Sequence, residues 1–185
     1  MSRIKAISPE SATGRAKNLL EAVGARLGMV PNMMRTMANA PAVLDGYVSL
    51  SEALDKGRLP LRMREQLALA VAQANQCEYC VAAHAAVGMT IGLTADQIRD
   101  SRLGTAVDSK ADALIRFARK LVETRGRVTE RDVEIIRAAG FDDGVIVEVV
   151  AHVALNIFTN YLNHVVGTDL DFPQVPALAP EPTKA

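Results

Sequence analysis

Residues 61–84 read LRMREQLALAVAQANQCEYCVAAH, and the spacing within this stretch predicts two consecutive helices. Leu61 to about Ala74 is a run of strong helix formers with Arg62, Arg64 and Glu65 near its start. A second helix is predicted to begin around Gln76 or Cys77 and to end between Gly88 and Gly92. Cys77 and Cys80 are the only two cysteines in the chain, and His84 follows four positions after Cys80. Three- and four-residue spacings put all three side chains on one helical face. Asn75 is a natural capping residue, which predicts Cys77 in the first turn. There, free N–H groups and the positive end of the helix dipole favour a thiolate.

Helical signals continue in both directions. Ser8 as N-cap and Pro9 at N1 predict a first helix from Pro9 to about Ala25. A Gly/Pro turn then leads to a short helix, Asn32 to Met37. Pro41 opens another that runs to Lys56 and closes at Gly57. Thr94 caps a short helix through Arg99, and Lys110 to Arg125 closes at Gly126. Thr129 to Ala138 opens with a capping box in which Asp132 replaces the usual Glu. Asp142 starts a long apolar helix reaching about Val166. No convincing alternating strand is found, so the predicted fold class is all-α with no sheet. One helical domain over 1–171 is expected. The four prolines of FPQVPALAPEPTKA (172–185) predict a non-helical tail, lying over the surface or a neighbouring subunit, or disordered.

Composition narrows the function. A length of 185 residues predicts one domain, able to bury about 70% of its unfolded surface without a disulfide staple. Lys plus Arg number 21 and Asp plus Glu 21, a balance that argues against nucleic acid as a partner. The start, MSRIKAISPESATG, has no apolar signal region, so a reducing cytoplasm is the expected location. Apolar residues make up 49% but aromatics only 4%, a composition suited to helices packed through small side chains. The longest apolar stretch, Val145 to Leu162, is interrupted by Glu148, His152, Asn156 and Asn160, which argues for a buried helix over a membrane span.

A thiol pair with a facing imidazole admits three readings. As a redox centre it is self-consistent: His84 is a proton acceptor, and Cys77 is close enough to resolve a sulfenic acid on Cys80. Zinc would find three ligands here but needs a fourth, and only His152 and His164, far along the chain, remain. Two small buried cysteines on an apolar helix are the third reading, which explains a lone cysteine better than this pair.

The pattern of a Glu, eleven residues, CxxC, three residues and a His, here Glu65, Cys77, Cys80 and His84, resembles the carboxymuconolactone decarboxylase superfamily in its AhpD-like alkylhydroperoxidase branch. The segments GMVPNMMRTMANAP and NYLNHVVGTDLDFP resemble its peroxidase-related members, so the likeness spans about residues 25–173. The resemblance implies an enzyme that reduces organic hydroperoxides or hydrogen peroxide without haem, flavin or metal cofactor. It implies Cys80 as peroxidatic cysteine, Cys77 as disulfide partner, and Glu65 with His84 as proton relay. A dithiol or thioredoxin-like reductant would reset the disulfide, and a homo-oligomer, trimer or hexamer, is implied. Residue spacing leaves the order of attack open: the helix start favours Cys77, and His84 favours Cys80. Tyr79 stands where the branch carries a second His inside the CxxC, which removes a possible proton carrier. Two alternatives accompany this expectation: a disulfide relay that reduces a peroxiredoxin, and a lactone decarboxylase using Glu and His without the cysteines.

Other residues have ordinary readings too. Beside Arg62 and Arg64, Glu65 fits a solvated charge cluster. Glu148, His152, Asn156, Asn160 and His164 form a ladder of four-residue steps, expected to face the active site, a subunit interface or a polar core network, the last two favoured, with His152 the best candidate for a supporting role at the site. Met29, Met33, Met34, Met37 and Met63 read as core or pocket lining. Tyr79 is expected to donate a hydrogen bond near the thiols or to pack beneath the helix.

Overall fold

The computed structural model describes residues 2–178. Among them are nine α-helices and no strand: α1 Gly14–Leu27, α2 Asn32–Met37, α3 Pro41–Asp55, α4 Leu61–Ala74, α5 Glu78–Thr90, α6 Ala95–Leu103, α7 Ser109–Thr124, α8 Glu130–Ala138 and α9 Asp143–Val166. The all-α expectation holds.

The chain is organised around α4. Seven consecutive residues, Gln66 to Ala72, are buried, so this helix is enclosed on every side, against α5, α6, α7 and α9. Ala68, Ala70 and Ala72 make that enclosure possible, because a methyl side chain lets neighbouring helices approach closely. Leu67 and Val71 join Leu114, Ala118, Ile136 and Val149 in one core layer under α7, α8 and α9. Ala72 belongs instead to the layer holding both cysteines, Leu20, Met37 and Leu44. The helix that carries Glu65 is thereby clamped on both sides of the thiols.

Local signals set most boundaries. Thr94 and Thr129 form complete capping boxes with Gln97 and Asp132, each satisfying two helix-end N–H groups. Asp142 caps α9 by accepting from the Val145 N–H. The first helix departs from expectation: it begins at Gly14 with Thr13 as N-cap, and residues 9–11 form a separate turn. Gly14 has φ +55°, a left-handed conformation that breaks any helical path arriving from Pro9. The sixth helix runs past Arg99 to Leu103 and stops at Gly104 in the left-handed region.

The last helix is long and apolar enough to cross a membrane by length and composition alone. In the fold it packs against α3, α4, α5 and α7, and Val149, Val153 and Val166 are buried in those contacts. The start of the Pro-rich tail lies on the chain's own surface: the Phe172 ring meets Tyr79 edge-on at 5.7 Å, and Arg102 Nη1 donates to the Pro176 carbonyl at 3.0 Å. The remainder of the predicted tail, 179–185, lies outside the described residues, as does Met1.

Candidate active site

The turn from α4 to α5 sets up the thiols. Gln76 takes φ +56°, a left-handed conformation that costs a non-glycine residue about 1–2 kcal/mol, and the Cys77 N–H returns to the Ala72 carbonyl at 2.9 Å. Cys77 is consequently the N-cap of α5 and lies before the first turn where it was expected. Its sulfur accepts from the Cys80 N–H at 3.4 Å. Both cysteines are free and buried, with their sulfurs 2.8 Å apart and the Cys77 thiol donating to Cys80.

That pairing makes the two sulfurs unequal. The hydrogen bond from Cys77 outweighs burial and, with the charge of His84 and the amides of Asn163 and Asn160, draws the Cys80 pKa down to about 6. Cys77 moves the other way: its hydrogen bond to Cys80 and its burial hold the proton on Cys77. Asn163 comes from α9 and donates from Nδ2 to the Cys80 sulfur at 3.2 Å. Its Oδ1 is held by the Thr168 hydroxyl at 2.7 Å, which fixes the amide with its N–H toward sulfur. Asn160, fully buried, accepts from the Asn75 side chain at 2.9 Å, and its own Nδ2 has no other partner.

One turn beyond Cys80, His84 donates from Nδ1 to Glu65 Oε2 at 2.9 Å. Burial disfavours the charged ring, but the charge and hydrogen bond of Glu65 prevail and raise the His84 pKa above its ordinary value. Glu65 is 12% exposed, not the solvated surface charge of the alternative reading. Arg64 pairs with Asp55, not with Glu65. Cys80, His84 and Glu65 line a largely apolar cavity of about 380 Å³. Cys80 reaches its wall; Cys77 lies behind.

The other predicted residues sort by this cavity. Tyr79 lines it and accepts the Met33 N–H at 3.3 Å, so it accepts a hydrogen bond from α2. Burial raises its pKa, which keeps the phenol neutral. Met33 and Met34 line the cavity and Met37 is core, whereas Met29 is 39% exposed and leaves the set, because it falls in the loop between α1 and α2. The middle of the polar ladder on α9, His152 to Asn160, turns inward, while His164 stays exposed. Glu148 accepts the N–H groups of Arg58 and Leu59, His164 Nε2 donates to the Asn75 carbonyl at 2.7 Å, and His152 and Asn156 line the cavity. Sequence reading missed Asn163 and also Tyr47, a phenol in the cavity wall whose pKa burial raises to about 12. The available signal for Asn163 was a third asparagine, after Asn156 and Asn160, in a helix otherwise built of apolar residues. Buried amides need partners. Among the described residues no group of three or more His, Cys, Asp or Glu side chains is arranged to hold a metal ion.

An all-α fold that presents a buried CxxC, a Glu–His pair and an apolar cavity agrees with the comparisons to known proteins. Residues 41–124, from α3 through α7, match the model of the carboxymuconolactone decarboxylase family. That match and the likeness to peroxidase-related structures support the AhpD-like branch of that superfamily. The structure of an alkylhydroperoxidase AhpD core, an uncharacterized peroxidase-related protein from Ralstonia eutropha JMP134, is similar at TM-score 0.80 and 27% identity, covering 92% of each chain. A peroxidase-related protein from Silicibacter sp. TM1040 is similar at TM-score 0.78 and 22% identity, over 91% of this chain and 94% of that one. The debrominase Bmp8 in complex with 2,3,4-tribromopyrrole shares the fold at TM-score 0.78 and 14% identity, over 92% of each chain. No curated protein matches the sequence.

Proposed function

We propose that the protein is a thiol-dependent hydroperoxide reductase that cycles through a Cys77–Cys80 disulfide. The observation that carries this reading is the polarity of the thiol pair: the sulfur that reaches the cavity, Cys80, is the one whose pKa falls to about 6. The sulfur 2.8 Å behind it keeps its proton. A nucleophile faces the substrate and a resolving thiol waits beside it. The peroxidase-related character of the Ralstonia protein supports the same reading.

The Cys80 thiolate attacks the terminal oxygen of ROOH; the O–O bond breaks, Cys80 becomes a sulfenic acid, and the protonated His84 supplies the proton that releases ROH. Cys77 then attacks the Cys80 sulfur. Its proton passes by way of the His84–Glu65 pair to the departing hydroxide, so the S–O bond breaks and water leaves as the disulfide forms. A dithiol or thioredoxin-like reductant returns both thiols by exchange. Asn163 stabilises the thiolate before attack, and Tyr79 contributes packing and not a proton. The assembly carrying this chemistry is a homo-oligomer in our reading, and the cytoplasm its location.

The test is a thiol titration of the reduced protein under anaerobic conditions, before and after one equivalent of cumene hydroperoxide, with mass spectrometry of the peptide containing residues 77–84. Loss of two thiols and of two hydrogens from that peptide is expected. Retention of both thiols overturns the proposal. Activity that survives in a Cys77→Ser/Cys80→Ser double variant would transfer the chemistry to Glu65 and His84 alone.

A further inference from the structure

Two polar atoms in the cavity wall have no role in the thiol cycle. Nε2 of His152 is buried without a hydrogen-bond partner, and so is Nε of Arg64. His152 is only 6% exposed, and both side chains line the same cavity as Cys80. Leaving a buried polar group unpaired costs about 1–3 kcal/mol, and native proteins seldom do so without cause. Asp55 takes one edge of the Arg64 guanidinium through Nη1, which leaves the Nε–H pointing elsewhere. Glu65 is not its partner, being committed to His84.

The chemistry of these atoms restricts what can satisfy them. Arg64 Nε is a donor only. No hydrogen bond fixes the His152 tautomer, so its Nε2 carries the proton when an acceptor arrives. Burial and the charge of Arg64 lower the His152 pKa, giving a neutral donor next to a cation. Two unpaired donors in one cavity wall, one of them charged, call for an acceptor-only anion, and a carboxylate fits best. Between His152 and Asn163, the residue on the Cys80 sulfur, α9 advances eleven residues, about 16 Å along its axis. The intervening wall is mainly apolar, and about 380 Å³ is the size of an organic-ligand site.

We propose that the cavity takes organic hydroperoxides whose apolar chain ends in a carboxylate, held by Arg64 and His152 with the O–O bond delivered to Cys80. The reactive end of this assignment rests on the hydroperoxide reductase reading, whereas the carboxylate end stands on the unpaired donors. Calorimetry on the reduced full-length protein with octanoate and octanamide separates the two, because neither probe can react. Octanoate is expected to bind at least about tenfold more tightly than octanamide, the difference a charge-assisted pair typically gives. Arg64→Lys, which keeps the charge but loses the Nε–H, and His152→Leu are each expected to erase most of that preference. Circular dichroism and thermal melts identify any variant that fails to fold, in which case His152→Gln and Arg64→Gln replace it. Equal affinity for the acid and the amide, no binding of either, or a preference unchanged in folded variants at both positions overturns the proposal. A second arm compares a fatty-acid hydroperoxide with its methyl ester, and the free acid should show the lower KM. If no hydroperoxide oxidises the thiols while octanoate binds as described, the reaction assignment fails and the carboxylate site stands.

Discussion

Replacing Asn163 with Leu removes one hydrogen bond to the Cys80 sulfur, donated across 3.2 Å from a buried amide. A hydrogen bond to a charged group is worth about 1.5–3 kcal/mol, and one pKa unit corresponds to 1.36 kcal/mol. The variant should therefore titrate about one to two units higher than the wild-type value of about 6. At pH 7 the thiolate fraction falls from roughly nine-tenths to between about a half and a tenth. Reaction with hydroperoxide should slow about two- to tenfold relative to wild type at that pH, and this deficit should close as pH approaches 9. The gain in intrinsic nucleophilicity that accompanies a higher pKa softens the loss. The assay is ultraviolet absorbance of the thiolate against pH in a Cys77→Ser background, with stopped-flow peroxide reduction at the same pH values. Leu also strands the Thr168 hydroxyl, which now donates to Asn163 Oδ1, so a thermal melt must accompany the titration. A folded variant whose midpoint stays within about 0.3 units of the control would refute the claim that Asn163 stabilises the thiolate.

Peroxide reduction should follow a bell-shaped pH profile. Activity rises as Cys80 ionises through about 6 and falls as His84 deprotonates through its raised value, readable from initial rates between pH 5 and 10. Glu65→Gln removes the charge that overcomes burial at His84. Its imidazole pKa should drop below the ordinary value in an NMR titration, and the rate at pH 7 should fall about 10²–10⁴-fold. Tyr79→Phe deprives the buried Met33 N–H of its acceptor, a destabilisation of about 1–3 kcal/mol in urea melts, with little change in Cys80 titration. Gln76→Gly relaxes the left-handed turn before Cys77. It should be neutral or stabilising, by up to about 1 kcal/mol, whereas Gln76→Val should be destabilising by at least as much.

Much of the site is legible because it is local. Cys77, Cys80 and His84 lie within eight residues, and helical periodicity alone places them on one face. Glu65 is farther in sequence, but α4 and α5 are joined by a short turn, so the two helices fold back and bring its carboxylate 2.9 Å from His84. Capping chemistry identified Thr94, Thr129 and Asp142 as helix starts for the same reason. The first helix was misread at Pro9 because the left-handed Gly14 leaves no mark in composition.

By itself the sequence determined an all-helical chain with a Glu–Cys–Cys–His constellation and a resemblance to one family. Each of these follows from contacts within one or two helical turns, or across one short connection. Tertiary structure decided that the Cys80 sulfur meets the amide of Asn163, more than eighty residues away, and that Cys80 and not Cys77 reaches the cavity. It also decided that the middle of the α9 ladder faces inward, and that Arg64 and His152 open onto the cavity that Cys80 touches. Such juxtapositions arise from how α9 crosses α4 and α5. Spacing within a helix says which residues share a face; only packing says what that face meets.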